Sequence, residues 1–91
     1  MGKQEIIELI EKIVKNKMLE NENYLRITFY ELRVKHDLSE EEIDVFLKFI
    51  KNKLEKMNYN IYFTGAKFIY ENSNRTVQSN ELMIAIKENM V

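Results

Sequence analysis

Two helix-start motifs that follow each other closely constrain this chain more than any other feature of its sequence. The segments 28-TFYE-31 and 39-SEEE-42 each place a hydroxyl residue three positions before a glutamate. In such a capping box the two side chains bond to each other's backbone N–H groups, which satisfies donors that a helix start leaves open. The motifs predict a short helix from Phe29 to about His36, a tight turn at Asp37 and Leu38, and a longer helix from Glu40 to about Met57.

Helical periodicity supports two longer helices, each with one apolar side. Residues 3–20 repeat apolar side chains at helical spacing, and this first helix is expected to end near Asn21-Glu22-Asn23. Its stripe consists of Ile6, Leu9, Ile10, Ile13, Val14 and Met18. The stripe of the third helix consists of Ile43, Phe46, Leu47, Ile50, Leu54 and Met57. Each stripe is expected to be buried.

Three segments favour strands. The run 24-YLRIT-28 predicts a short strand. The run 60-NIYFTGAKFIYE-71 is β-branched and aromatic, and it predicts either a tight hairpin at Gly65 or one strand bent there. Alternation in 82-LMIAIK-87 favours a last strand, although its residue types also permit a C-terminal helix.

The length of 91 residues allows one small domain, over residues 1–91. Apolar residues make up 45% and charged residues 32%, which is a globular rather than a disordered balance. No cysteine is present, so a disulfide framework and a thiolate metal site are excluded. No apolar run is long enough to span a membrane and no signal-peptide pattern opens the chain, so we expect a soluble cytoplasmic protein without a membrane partner.

The sequence offers no pattern typical of an enzyme. His36 is the single histidine, and with two glycines the chain cannot form a Gly-rich phosphate loop. Residues 40–44 hold four carboxylates, but carboxylates in a first helical turn are the usual complement of the helix dipole. We therefore expect no catalytic residues, no metal ligands and no cofactor.

The predicted order is helix, short strand, helix, helix and β-hairpin, and a tight turn joins the last two helices. In this order and in its two capping boxes, the chain resembles the winged helix-turn-helix family over nearly all of its length. The resemblance implies an α+β fold with three helices, a short first strand and a C-terminal β-hairpin wing. It also implies DNA binding, in which the third helix commonly enters the major groove.

Charge along the third helix departs from that docking mode. Residues 40–44 hold four acids and no base, whereas residues 48–56 hold four lysines against a single acid. Carboxylates pressed against phosphates are repelled once water is displaced. If the chain binds DNA, we expect the acidic start to lie away from the groove and Lys48, Asn52 and Lys56 to contact the backbone. Matching of the helix's own dipole explains the same pattern without DNA.

The predicted wing adds a second group of contacts. The loop 72-NSNRTVQSN-80 surrounds its arginine with short amide and hydroxyl residues. Arginine is attracted to the narrow minor groove of A·T-rich duplexes, and asparagine can bond to acceptors there. The residues expected to contact DNA in this region are Lys67, Asn72, Asn74 and Arg75. Further candidates for phosphate contacts are Arg26, Arg33 and Lys35. Ordinary turn formation by Asn and Ser is the alternative explanation.

Three roles stay open at this point. The chain is rich in Asn, Lys, Ile, Tyr and Glu, a composition typical of an AT-rich genome. In this coding style, in its small size and in its unusual third helix, the chain is similar to relaxosome accessory proteins of clostridial conjugative plasmids, which are winged helices that bind the transfer origin and help the relaxase. The family resemblances imply double-stranded DNA, a relaxase and a second copy of the chain as partners, and the arginine of the predicted wing favours an A·T-rich duplex. Transcriptional regulation is the neighbouring role. The net charge of −1 and the acidic helix start instead favour a protein-interaction module that uses Val45 and Phe49.

Overall fold

The computed structural model describes residues 2–63 and 81–87, and within them three helices and three strands follow one another. They are helix α1 (Lys3–Glu20), strand β1 (Tyr24–Thr28), a π-helix (Glu31–Lys35), helix α2 (Glu40–Glu55), strand β2 (Tyr59–Phe63) and strand β3 (Glu81–Lys87). This order and the mixed α+β class agree with the sequence prediction, in which α2 is the third helix. The hairpin or bend predicted at Gly65 lies outside the described residues.

Helix α1 forms where the periodicity predicts it. Glu5 in its first turn accepts a hydrogen bond from the Gly2 N–H at 3.0 Å. The helix ends at Glu20, and the N–H of its C-cap Asn21 still donates to the Lys17 carbonyl at 2.9 Å. Of the predicted stripe, Leu9 and Met18 are partly buried against the core and the others are fully buried.

The second helix is short and starts at its predicted capping box. The Thr28 N–H donates to Glu31 Oε1 at 2.7 Å, and the Glu31 N–H donates to Thr28 Oγ1 at 3.2 Å. Its form differs from an ordinary α-helix, because residues 31–35 are π-helical. The His36 N–H accordingly donates to the Glu31 carbonyl, five residues back, at 3.0 Å. Leu32 on this wide turn is completely buried.

The turn between the π-helix and α2 is held by backbone and side-chain bonds. Asp37 adopts a left-handed backbone conformation with φ of 54°. Leu38 is completely buried, and its N–H donates to the Leu32 carbonyl at 2.9 Å. Arg33 Nη1 donates to the Leu38 carbonyl at 2.8 Å. The predicted turn is therefore confirmed, and one of its residues belongs to the core.

Helix α2 begins at the second predicted capping box. The Ser39 N–H donates to Glu42 Oε1 at 2.8 Å, and the Glu42 N–H donates to Ser39 Oγ at 3.2 Å. The buried residues of its stripe are Ile43, Phe46, Leu47, Ile50 and Leu54. The helix ends at Glu55, slightly earlier than predicted, and Asn58 follows in a left-handed conformation with φ of 69°. Met57 therefore lies beyond the helix and is partly buried.

The sheet is antiparallel and its strand order is β1-β3-β2. The last of the described strands thus lies in the middle and pairs with both others. Ile84 of β3 lies opposite Arg26 of β1 and opposite Tyr62 of β2, so these three residues share one face of the sheet. For residues 82–87 the alternation therefore predicts the right structure, and the competing helix is wrong.

One core joins the helices to the inner face of the sheet. The buried strand residues are Leu25, Ile27, Tyr59, Leu82, Met83 and Ala85. They form one cluster with the stripes of α1 and α2 and with Leu32 and Leu38. Because α2 buries one whole side in this cluster, the core decides which side of α2 faces solvent.

A polar contact at the edge of the core ties the turn after α1 to β2 and β3. The Tyr59 hydroxyl donates to the Glu22 carbonyl. Lys87 Nζ lies 5.1 Å from the centre of the same tyrosine ring and 4.0 Å from Glu22 Oε1. Burial, and after it the charge of Glu22, raises the pKa of the Tyr59 hydroxyl. The hydroxyl therefore stays protonated at neutral pH and keeps its donor.

Replacement of Tyr59 by Phe should remove this hydrogen bond and leave the packing of the ring in place. We expect the free energy of unfolding to fall by about 1 kcal/mol, the usual net value of such a bond. Urea denaturation followed by circular dichroism measures the change. Tyr62→Phe is the matched control, because Tyr62 is 54% exposed on the same strand. Equal stability of the Tyr59→Phe variant and the unaltered chain would contradict this role.

Candidate nucleic-acid interface

Helix α2 turns one side to solvent because its opposite side is buried in the core. The structure places Lys48, Asn52 and Lys56 on this exposed side, four residues apart. At a rise of roughly 1.5 Å per residue they span about 12 Å along the axis. Lys56 is the C-cap, directly after the last helical residue. These three side chains, the polar row, occupy the later turns of the helix, where cations complement its dipole.

The first turn of α2 is acidic and largely exposed. Glu40, Glu41 and Asp44 are exposed, whereas Glu42 is half-buried and its carboxylate accepts a bond within the capping box. Glu41 precedes Lys48 by seven residues, so both lie on the same side of the helix. That side therefore changes from negative to positive along its length, as the sequence predicts.

The lysines of the later turns have different surroundings. Lys51 Nζ lies 3.1 Å from Glu55 Oε2, one helical turn away, and Lys53 is half-buried beside α1. Within residues 2–63 and 81–87, no ion pair engages Lys48 or Lys56. These two lysines are therefore better placed than Lys51 to meet an external anion.

A groove between α1 and α2 lies beside the polar row. Its volume is about 440 Å³, and its lining includes Ile7, Phe49, Asn52 and Lys56. The Phe49 ring packs against the core, and Lys3 Nζ lies 5.7 Å from its centre. The sequence prediction puts Phe49 near the outward face, whereas the structure puts it in this groove. The reason is that the flank of α2 that carries it faces α1.

Sequence periodicity does not predict the groove. Ile7 and Phe49 each lie just outside the apolar stripe of their helix, and both are half-buried. An extra apolar side chain beside the stripe is the signal that could have indicated it. The signal is weak because a single chain position beside a stripe does not say which neighbouring helix it faces.

The other predicted phosphate contacts lie in two different settings. Arg33 is bonded to the turn before α2. Arg26 and Lys35 line a polar cavity of about 420 Å³ between α1, β1 and the π-helix. Lys17 and Glu31 also line it, with Lys17 Nζ 3.0 Å from Glu31 Oε2. None of the residues that line this cavity belongs to α2, so Arg26 and Lys35 form a surface separate from the polar row.

Four predicted contacts lie outside the described residues, namely Lys67, Asn72, Asn74 and Arg75. The strands on either side of them are described. Phe63 of β2 pairs with Met83 of β3 in antiparallel register. The end of β2 and the start of β3 therefore lie at the same end of the sheet.

Residues 2–63 and 81–87 contain no group of three His, Asp or Glu side chains placed to hold a metal ion. We interpret the first-turn carboxylates of α2 as partners of the helix dipole and of the cap. No helix in the described part of the chain is long and apolar enough to cross a bilayer.

Comparison of the chain with models of protein families, with curated proteins and with solved structures found no match.

His36 follows the π-helix and is half-buried. Burial lowers the pKa of His36 below the ordinary value of 6.5. The charge of Glu31 opposes this shift, whereas the charges of Lys12, Lys35 and Lys17 add to it. The fold therefore favours the neutral imidazole.

Stability should fall as the pH drops below about 6.5, because the unfolded chain takes up a proton there and the folded chain does not until lower pH. Urea unfolding at several pH values between about 7.5 and about 5.5 measures this dependence. His36→Gln should flatten it. A stability of the unaltered chain that rises as the pH falls through this window would contradict the assignment.

Proposed function

We propose that this domain is a winged helix that binds double-stranded DNA and catalyses no reaction on it. The polar row on the second helix of the pair is the single observation that carries the proposal. The topology supports it, because two helices joined by a tight turn are followed by two strands of a sheet ordered β1-β3-β2. In this proposal residues 64–80, between β2 and β3, form the wing.

The polar row contacts the phosphates of the duplex. Lys48 and Lys56 contribute positive charge, and the Asn52 amide between them donates hydrogen bonds. The acidic first turn stays off the DNA, since four carboxylates close to phosphates would be repelled. Helix α2 thus lies along the backbone at its later turns and does not enter the major groove with its start.

The wing extends the contact into the minor groove. Arg75 is drawn to the negative potential of a narrow A·T-rich groove, and Asn72 and Asn74 bond to the acceptors on its floor. Lys67 adds a phosphate contact. These four roles rest on the sequence.

The cellular role that fits best is an accessory factor at the transfer origin of a conjugative plasmid, in the cytoplasm, where the domain assists a relaxase. Its support is the resemblance in small size, AT-rich coding style and unusual third helix. A homodimer would place two polar rows and two wings on one site and gain affinity by multivalency. Transcriptional regulation is the second role, and it requires the same mode of binding.

The test is binding of the full chain to a fluorescently labelled A·T-rich duplex of about 20 base pairs, by anisotropy at low and physiological salt. Affinity should fall steeply as salt rises, because phosphate contacts release counterions. Lys48→Ala should weaken binding several-fold and reduce the slope of log K against log salt by about 1. Arg75→Ala should reduce the preference for A·T-rich over G·C-rich duplexes.

Lys12→Ala is the matched control, because Lys12 is exposed on α1 and its loss changes the net charge by the same amount. It should leave both affinity and slope unchanged. Absence of binding at low salt, or equal losses in the Lys12→Ala and Lys48→Ala variants, would refute the proposal.

A second function, docking of a protein partner, is favoured by the groove beside the polar row. Val45 is 37% exposed on the outward side of α2, whereas Phe49 lies in the groove with Ile7 and Met57. Of the two apolar residues that the sequence suggests for a partner, Phe49 therefore belongs to the larger apolar surface.

A further inference from the structure

The groove between α1 and α2 continues past Met57 into a second concavity. Their volumes are about 440 and about 490 Å³, and Glu11, Lys53 and Met57 line both. Together they run beside α1 from Ile7 to Leu19. At roughly 1.5 Å per residue this distance is about 18 Å, the length of about three helical turns.

The floor and walls of this extended groove are apolar. Ile10 and Val14 of α1 are buried at its floor. Phe49 and Met57 are partly buried along the α2 side, and Leu19 is 79% exposed at the far end. A continuous apolar surface with a flexible methionine in it is typical of a docking site, because methionine adapts to the shape of a partner.

Lysines dominate the rim. The charged residues on the α2 side are Lys53 and Lys56, and α1 adds Lys15. Within the described ranges these three lysines form no ion pair. The rim also carries two acids, Glu11 and Glu22, and both lie on the α1 side. Glu22 Oε1 already lies 4.0 Å from Lys87 Nζ of β3. The rim along α2 is therefore wholly positive.

We propose that this groove binds an amphipathic α-helix of another protein that carries carboxylates along the flank facing α2. Apolar side chains of the bound helix, spaced three and four residues apart, enter the two concavities. Its carboxylates meet Lys53 and Lys56. Binding of such a helix does not require DNA binding by the polar row. Asn52 and Lys56 nevertheless lie at the border between the groove and the polar row.

A second copy of the chain fits the groove poorly. The apolar stripes of α1 and α2 are buried in their own core, so neither helix has a free apolar side of this length to offer. An amphipathic helix of another protein with an acidic flank is complementary to both the apolar floor and the positively charged rim.

The probe is a synthetic helical peptide of about 15 residues, with Leu and Met at helical spacing and Glu along one flank. The control peptide carries Lys in place of each Glu. Fluorescence anisotropy with the full chain should show saturable binding of the Glu peptide. A Lys53→Glu, Lys56→Glu double variant should bind it at least tenfold more weakly and should bind the Lys peptide in its place.

Lys48→Glu is the matched control, because Lys48 is an exposed lysine of α2 that does not line the groove. It should bind the Glu peptide as the unaltered chain does. The proposal is overturned if the Glu peptide does not bind, if both peptides bind equally, or if Lys48→Glu loses as much affinity as the double variant. Analytical sedimentation of the chain without peptide tests whether a second copy of the chain occupies the groove. A dimer that the double variant dissociates would assign the groove to a second copy and overturn the proposal.

Discussion

The fold depends on the central position of strand β3. Strands β1 and β2 do not pair with each other, so the sheet exists only because β3 lies between them. Leu82, Met83 and Ala85 of β3 are completely buried in the common core. Isolated strand pairs are marginal in water, whereas three strands packed against helices are stable. The last of the described strands thus holds together the sheet whose inner face shares one core with α2.

The surface of helix α2 has three parts around its circumference. One side is the apolar stripe in the core, the opposite side carries the polar row, and the flank between them forms one wall of the groove with α1. Along the axis its charge changes from acidic to basic, which matches the helix dipole and leaves Glu55 as the single acid of the later turns. DNA binding by the polar row and helix docking in the groove are therefore proposals about adjoining surfaces of a single helix, and both rely on lysines.

Local signals predict much of this structure. The boxes at 28–31 and 39–42 locate two helix starts, and periodicity separates the buried side of α2 from the side of Lys48 and Asn52. The segment 82–87 is ambiguous by local criteria, because its alternation favours a strand and its residue types also suit a helix; pairing with both neighbours decides it. Five residues are too few to reveal the i→i−5 bonding of the π-helix. The groove depends on how α1 and α2 pack against each other, and the sequence of either helix alone does not predict this packing.

The most direct test of the account is a two-dimensional ¹H–¹⁵N NMR titration of the full chain with an A·T-rich duplex at low salt. Amide shifts report which turns of α2 meet the DNA, independently of any substitution. The account predicts the largest changes within α2 at Lys48, Asn52 and Lys56 and little change at residues 40–42. Changes centred on residues 40–44, or confined to the outer face of the sheet around Ile84, would contradict it.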